Sequence, residues 1–229
     1  MKIHNLAQGS LEWRQLRAGK VTASEFDRLV SPLGKVRTGD GPQTFLHEKL
    51  AEIWMGAPLP TAEFFQADNG TFLEEYARPA FTLETGLEVI EVGFIESDCG
   101  QLGCSPDGII GKECGLEIKC PLLQTHIGYL LSGVVPPDYV LQVQASLFIT
   151  GFPAWKFFSF RRGLPPLILT VKPDPNIQDS IHQAVELFTE KLAAALARLT
   201  ELNGGVRPEP LRFTERSEEE LEFQSETPT

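Results

Sequence analysis

The segment from residue 105 to residue 119 most constrains the fold, because it predicts a turn followed by two paired strands. Residues 105–108 read Ser-Pro-Asp-Gly and contain the turn tripeptide Pro-Asp-Gly. Residues 109–110 and 116–119 have the composition of short β-strands, and the stretch 111–115 between them begins and ends with glycine. The segment therefore predicts a hairpin-like pair of strands that begins just after an acidic turn.

The second predicted strand carries charged residues at alternate positions. Alternate side chains of a strand share a face, so Glu117 and Lys119 project to one side while Leu116 and Ile118 face the core. With Asp107, this gathers two carboxylates and a lysine, which are costly to bury unless a cation or a substrate neutralises them. Oxygen ligands suit Mg²⁺ or Mn²⁺, which keep water ligands and accept phosphate oxygens. The pattern by itself is compatible with metal-assisted cleavage of a phosphodiester and is not specific to it.

These residues resemble the signature of PD-(D/E)xK nucleases, with Pro-Asp at 106–107 and Glu-Ile-Lys at 117–119. Further stretches, in the same order and at similar spacing, resemble the phage lambda exonuclease-like family of YqaJ-type viral recombinases. They are Trp13-x-x-x-Arg17-x-Gly19-x-x-Thr22-Ala23-Ser24, Glu74-x-x-Ala77-Arg78, Cys104-Ser105-Pro106-Asp107-Gly108, Gly115-Leu116-Glu117-Ile118-Lys119-Cys120-Pro121 and Gln142-Val143-Gln144. The resemblance extends over about residues 13–155.

The resemblance implies an α/β fold of the restriction-endonuclease type, a single domain with a central mixed β-sheet flanked by helices. The sequence patterns agree with this class. Helices are expected over residues 11–17, 22–30, 44–55, 71–84, 138–149 and 177–202, and strands over 87–95, 102–104, 107–110, 116–119, 155–160 and 167–171. Pro79 predicts a kink or a break. We expect a nuclease domain over residues 1–207 and an acidic, partly disordered tail over 208–229.

Composition favours a cytoplasmic protein that has no membrane partner. The chain has 229 residues and 42% hydrophobic residues, and no apolar run approaches the roughly 20 residues that span a bilayer. The N-terminus lacks the apolar core of a signal peptide. The four cysteines are expected to be reduced thiols, because cytosolic proteins rarely contain disulfides, and their spacing lacks the C-x₂-C of common zinc sites. They are Cys99, Cys104, Cys114 and Cys120.

The net charge of −11 is unusual for a protein that binds nucleic acid. The charge is unevenly distributed, however. Residues 1–50 contain eight Lys/Arg and five Asp/Glu, whereas residues 201–229 contain three Arg and eight Asp/Glu. This asymmetry is compatible with a basic substrate channel and an acidic exterior.

The resemblance assigns roles to the charged cluster. Asp107, Glu117 and the backbone carbonyl of Ile118 would bind two Mg²⁺ ions, with Mn²⁺ as an alternative. Lys119 would orient or deprotonate the attacking water, or stabilise charge on phosphorus, and burial beside metal cations would favour its neutral amine. Glu74, on a predicted helix, would hold a metal-bound water. The alternative for this cluster is a turn aspartate and a half-exposed strand with a Glu–Lys pair.

Four residues match those with which the resembled enzymes hold a terminal 5′-phosphate: Arg17, Ser24, Ser105 and Gln142. A guanidinium fork with hydroxyl and amide donors makes a compact anion pocket. Ser24 lies in the first turn of a predicted helix, where the helix dipole favours anions. Gln144 is a second candidate from the helix of Gln142, and Arg17 could instead be an ordinary surface charge.

Two weaker candidates for DNA contact, Lys35 and Arg37, lie in a predicted loop over residues 31–42. They could touch phosphates or the minor groove, although a solvated loop explains them equally well. Phe64 and Phe65 could separate the terminal base pair, and core packing is the alternative for them.

Together these features predict a Mg²⁺-dependent exonuclease that digests one strand of linear duplex DNA from a 5′-phosphorylated end. The resemblance implies that it releases mononucleotides and leaves a 3′ single-stranded overhang for recombination by strand annealing. It also implies a homotrimeric ring, a single-strand annealing protein as partner, and a phage or prophage origin in a bacterial host. The alternatives are a structure-selective endonuclease of the same fold and a non-catalytic DNA-binding scaffold.

Overall fold

The computed structural model describes residues 1–59 and 68–207, and over residues 68–75 it describes the backbone alone. The expected acidic tail over residues 208–229 lies outside the described residues. So do Phe64 and Phe65, which we considered as residues that separate base pairs.

The described chain contains both strands and helices, with five consecutive strands in its middle part. The strands are β1 (Lys2–His4), β2 (Val21–Thr22), β3 (Val89–Ile90), β4 (Phe94–Glu96), β5 (Leu102–Cys104), β6 (Gly108–Ile110), β7 (Cys114–Lys119), β8 (Ala154–Ser159) and β9 (Leu167–Val171). The helices are α1 (Leu11–Arg17), a 3₁₀-helix (Ala23–Arg28), α2 (Asp40–Met55), α3 (Asp68–Thr85), α4 (Leu123–Ser132), α5 (Pro137–Thr150) and α6 (Pro175–Leu202).

The described strands form two mixed sheets. One has the order β1-β4-β5-β2, in which β2 runs parallel to β5, and the other has the order β3-β6-β7-β8-β9, in which β7 runs parallel to β8. All other pairs are antiparallel. Helices flank both sheets, which confirms the predicted α/β class.

The prediction of a single strand over residues 87–95 is wrong, because this stretch contains two strands, β3 and β4, which belong to different sheets. Gly93 lies at the division, where its N–H donates to the carbonyl of His4 (3.1 Å). A Cβ atom on Gly93 would lie 2.0 Å from the carbonyl oxygen of Leu6. The close approach of the N-terminal segment therefore requires glycine at this point and separates the two strands.

Several helices differ from their predicted form. The segment after Thr22 makes the expected capping box with Glu25 but winds as a 3₁₀-helix. Helix α2 begins at residue 40, ahead of the predicted start at 44, because Pro42 is tolerated in a first turn. Pro79 lies inside α3 and does not end it. Helix α4 was not predicted, since Gly128 in its interior lowers helix propensity.

The strand β7 has one face in an apolar core and the other beneath α5. Leu116 and Ile118 are buried in a cluster with Ala77 and Phe81 of α3. The alternation of the strand consequently turns Glu117 to the opposite side, where it is 3% exposed. The predicted division of this strand into a core face and a charged face is confirmed.

Candidate active site

Asp107 is fixed against β7 by hydrogen bonds on both sides of Glu117. Its N–H donates to the carbonyl of Leu116 (3.0 Å), and its Oδ2 accepts from the N–H of Ile118 (2.5 Å). The pairing of Gly108 with Leu116 in the β6–β7 ladder sets this register. The turn therefore places the Asp107 carboxylate beside the strand that carries the second acid.

Glu117 is buried and has two polar partners. Its Oε1 accepts from Nζ of Lys119 (2.6 Å) and from Nε2 of Gln142 on α5 (2.6 Å). A buried carboxylate is stable only when it is paired and hydrogen-bonded, and these contacts supply both. Gln142, which we expected in the phosphate pocket, thus lies against the acid of β7 in this structure.

Lys119 faces opposing influences on its charge. Burial would lower the pKa of Lys119, but the charge and hydrogen bond of Glu117, with a smaller contribution from Asp107, raise that pKa above its ordinary value. The ammonium also lies 4.9 Å from the centre of the Tyr139 ring. Among the protein's own groups Lys119 is a cation, and the neutral amine expected beside metal cations stays a prediction.

The donor set at this place fits a hard divalent cation. The carboxylates of Asp107 and Glu117 and the carbonyl of Ile118 offer oxygen atoms alone, the chemistry that Mg²⁺ selects. Within the side chains that the structure describes, no group of three or more His, Cys, Asp and Glu residues could hold a metal. The side chain of Glu74, the further acid that we expected, lies outside the described residues, although its backbone belongs to α3.

Three of the four predicted phosphate ligands lie together, joined through a residue that we had not assigned. Arg17 donates from Nη1 to Ser105 Oγ (3.2 Å) and from Nη2 to Thr22 Oγ1 (3.4 Å). Thr22 Oγ1 in turn lies 3.2 Å from Ser24 Oγ. The guanidinium lies 4.2 Å from the Trp13 ring centre, and Trp13 Nε1 donates to Ser105 Oγ (3.0 Å). We call Arg17, Thr22, Ser24 and Ser105 the hydroxyl–guanidinium cluster.

A cavity of about 760 Å³ extends from this cluster to the acidic turn. Its lining includes Arg17 and Thr22 together with Asp107. The lining also contains further ionic side chains of both signs, namely Arg14, Lys49, Arg78, Glu25, Glu52 and Glu91. The cavity is large enough for a nucleotide-sized ligand and reaches one of the two expected metal acids.

The weaker candidates lie elsewhere. Lys35 and Arg37 are exposed on a turn that packs on α6 through a hydrogen bond from Ser180 Oγ to the Gly34 carbonyl (2.6 Å). Arg37 lines a separate cavity of about 110 Å³ that does not include the acidic turn.

Gln144 is 3% exposed, and its amide bonds to backbone groups before α6. Its Nε2 donates to the Lys172 carbonyl (2.9 Å), and its Oε1 accepts from the Asp174 N–H (2.9 Å). These bonds give Gln144 a structural role and not the DNA contact that we considered.

Two residues next to the acidic turn were missed as parts of the site. Arg78 donates from Nε to the Asp107 carbonyl (3.1 Å) and pairs through Nη1 with Glu91 (2.5 Å). Gln8 donates from Nε2 to the Pro106 carbonyl (2.9 Å). Arg78 could have been found from its place in the Glu74-x-x-Ala77-Arg78 stretch, whereas no local signal marks Gln8.

Comparison with known proteins identifies the family of the chain. Residues 12–153 match the model of the YqaJ-like viral recombinase domain. The chain belongs to this family, which confirms the resemblance to lambda-exonuclease-like proteins. No curated protein matches the chain significantly.

Solved structures show the same architecture. The alkaline exonuclease LHK-Exo from Laribacter hongkongensis, also solved in complex with dAMP, is 30% identical, with a TM-score of 0.72 over 85% of this chain and 98% of that chain. A phage-related exonuclease from Haemophilus somnus 129PT is 14% identical, with a TM-score of 0.59 over 79% of this chain and 96% of that chain, and shows the fold alone. The family and LHK-Exo indicate an alkaline-exonuclease-like recombinase.

Within residues 1–59 and 68–207, none of the helices combines the length and hydropathy that a membrane span requires.

Proposed function

We propose that the protein is a Mg²⁺-dependent exonuclease that degrades one strand of linear duplex DNA from the 5′ end. It releases mononucleotides and leaves a 3′ single-stranded overhang for recombination by strand annealing. The observation that carries this proposal is the hydrogen bond between Arg17 and Ser105, which stands two residues before Asp107 in the chain. A phosphate held by the hydroxyl–guanidinium cluster would bring the next phosphodiester of the strand toward the metal acids.

Asp107, Glu117 and the carbonyl of Ile118 would hold the metal, as two Mg²⁺ ions or, alternatively, Mn²⁺. The metal would act as a Lewis acid on the phosphate and lower the pKa of a bound water. The ammonium of Lys119 and the amide of Gln142 keep the Glu117 carboxylate in one orientation. Lys119, as a cation, is also suited to stabilise negative charge that develops on the phosphate oxygens. We include Glu74 of α3 as a further acid of this centre.

Recognition of a terminal phosphate would decide the direction of digestion. An Arg fork and hydroxyl groups bind a doubly charged terminal phosphate better than a 5′-hydroxyl end. The structure of LHK-Exo with dAMP shows that a relative binds a deoxynucleoside monophosphate, the chemical form of the product proposed here.

The proposal extends to assembly and partners. The family resemblance supports a homotrimeric ring around DNA and an annealing protein that takes over the 3′ overhang, in the cytoplasm of a bacterial host of a phage or prophage. Leu123, Ile127 and Leu131 form an exposed apolar row on α4, which is compatible with a protein interface. Sedimentation equilibrium should give the mass of three 25.4-kDa chains, and a monomer at all concentrations would exclude the ring.

Digestion of linear duplex labelled separately at its 5′ and 3′ ends tests the activity. We expect early release of the 5′ label as a mononucleotide, a slower reaction at 5′-hydroxyl ends, and none in EDTA. Cleavage of covalently closed circular duplex would overturn the exonuclease proposal in favour of an endonuclease. Binding of duplex ends without any cleavage in Mg²⁺ or Mn²⁺ would favour the non-catalytic scaffold.

A further inference from the structure

A buried lysine in the lining of the same cavity is connected to the hydroxyl–guanidinium cluster through two acids. Lys49 of α2 is 5% exposed. Its Nζ pairs with Oε1 of Glu25 (2.9 Å), in the 3₁₀-helix, and with Oε2 of Glu52 (3.1 Å), three residues further along α2. A buried ammonium between two carboxylates is a well-paired charge, so it holds both acids in defined positions.

The first acid connects Lys49 to the cluster. Glu25 Oε2 accepts from the N–H of Thr22 (2.9 Å) and from its hydroxyl (2.8 Å). A hydroxyl has a single proton, so Thr22 Oγ1 is left as an acceptor on its other sides. It therefore faces the Nη2 of Arg17 as an acceptor, at 3.4 Å. The ionised Glu25 thus holds the Thr22 proton on its own side and leaves a lone pair of Oγ1 to accept from Arg17.

The second acid, Glu52, holds the start of the segment that leads from Gly19 to Thr22. Glu52 Oε2 accepts from the N–H of Gly19 (2.9 Å). Gly19 has φ of +73°, and a Cβ atom there would lie 2.5 Å from Ile53 Cγ1, so the backbone lies tightly against α2. Lys49 therefore reaches both ends of residues 19–22, the segment that follows Arg17 and leads to Thr22.

We propose that Lys49 is a positioning residue for recognition of the terminal phosphate. Through Glu52 and Glu25, Lys49 holds residues 19–22 in place. This keeps the guanidinium of Arg17 and the hydroxyl of Thr22 in the geometry that receives a 5′-phosphate. The inference rests on the proposed function. The inferred role of Lys49 is in selectivity for phosphorylated ends and not in cleavage. Lys49 pairs with Glu25 and Glu52, and not with the candidate metal ligands Asp107 and Glu117.

The test compares Lys49→Met with the wild-type full-length chain on linear duplexes with 5′-phosphate or 5′-hydroxyl ends. We expect the ratio of kcat/KM between the two ends to fall about tenfold, the order expected when one charge-assisted hydrogen bond is misaligned. The loss should lie in KM for phosphorylated ends, with the rate on hydroxyl ends retained. Equal losses on both substrates would indicate a general structural role and overturn the inference.

Arg28→Met is the matched control. Arg28 Nη2 pairs with Glu48 Oε1 at 3.2 Å, so this variant breaks an ion pair between the same two helices. Neither Arg28 nor Glu48 has a hydrogen bond to Thr22 among the described residues. The ratio of kcat/KM for phosphorylated over hydroxyl ends should therefore equal that of the wild type.

Glu25→Gln covers the case in which Lys49→Met does not fold. This variant leaves Lys49 paired with Glu52 and removes only the charge that reaches Thr22. Its end preference should fall while its thermal unfolding stays cooperative, with a midpoint below that of the wild type because the stabilising charge of Glu25 is lost. If Glu25→Gln, or folded Lys49→Met, keeps the wild-type ratio of kcat/KM between phosphorylated and hydroxyl ends, the positioning role of Lys49 is overturned. The proposed function is then unaffected. A wild type without any preference for phosphate would instead overturn the proposed function.

Discussion

The guanidinium of Arg17, at the end of α1, donates to the hydroxyl of Ser105 across 3.2 Å. Ser105 is followed by Pro106 and Asp107, so this hydrogen bond joins a candidate anion pocket to a candidate metal turn. The candidate pocket for a DNA end and the candidate metal turn are therefore connected through one hydrogen bond and two residues of the chain.

Arg17→Lys should reduce the rate on 5′-phosphorylated duplex by about tenfold to a hundredfold. Lysine keeps the positive charge but lacks the planar fork with which Arg17 reaches both Ser105 and Thr22. Initial rates on phosphorylated and hydroxyl ends check this, and the loss should be concentrated on phosphorylated ends. A wild-type ratio in this variant would contradict the assigned role.

Glu117→Gln should abolish stabilisation by Mg²⁺ and reduce nuclease activity by at least about a hundredfold. The amide is a poor ligand for a hard cation, and a ligand that binds only the folded state raises the melting temperature. The measurement is the thermal unfolding midpoint with and without Mg²⁺, together with the digestion rate. Glu113→Gln, an exposed acid ahead of β7, is the control and should keep the wild-type response to Mg²⁺. An unchanged Mg²⁺ response in Glu117→Gln would remove Glu117 from the metal site.

Gly115→Ala should destabilise the protein by about 1–3 kcal/mol. Gly115 lies in β7, and a Cβ atom there would lie 2.4 Å from the buried ring of Trp155, which has no room to move. Urea unfolding measures the change in free energy. Gly128→Ala is the matched control, because a Cβ atom at this position of α4 meets nothing within 4 Å. It should stabilise the helix by roughly 0.5–1 kcal/mol, and equal effects of the two substitutions would contradict the packing argument.

Stability at acid pH should depend on Glu25. Burial alone would raise the pKa of Glu25, but Lys49 and the hydrogen bonds of Thr22 together lower it below its ordinary value. A carboxyl group with a lowered folded pKa stabilises the fold fully above its unfolded pKa of about 4.3, and this contribution is lost as the pH falls through the folded pKa.

Glu25→Gln should therefore show a shallower loss of unfolding free energy below about pH 5 than the wild type. Urea unfolding at a series of pH values measures both curves. Parallel curves for the two proteins through this range would show that the Glu25 pKa is not lowered in the folded state.

Local signals predicted several elements with their observed bounds. Helix α1, with Ser10 as its N-cap, and strand β9 are local patterns of capping and apolar spacing, which the sequence contains in full. The missed helix α4 has a weak local signal, because Gly128 lies in its interior. The division between β3 and β4 depends on a non-local contact. Gly93 separates two strands because Leu6, from the segment that follows β1, approaches it, and nothing near Gly93 in the chain indicates this contact.

The sequence by itself determined the charged face of β7 and the family. Alternation along a strand requires Glu117 and Lys119 to share a side, whatever packs against them. Only the tertiary structure decided that Gln142 reaches Glu117 and that Lys49 pairs with Glu25. These contacts depend on how α5 and α2 pack over distant segments, and the spacing of residues within a helix does not specify which partner its face will meet.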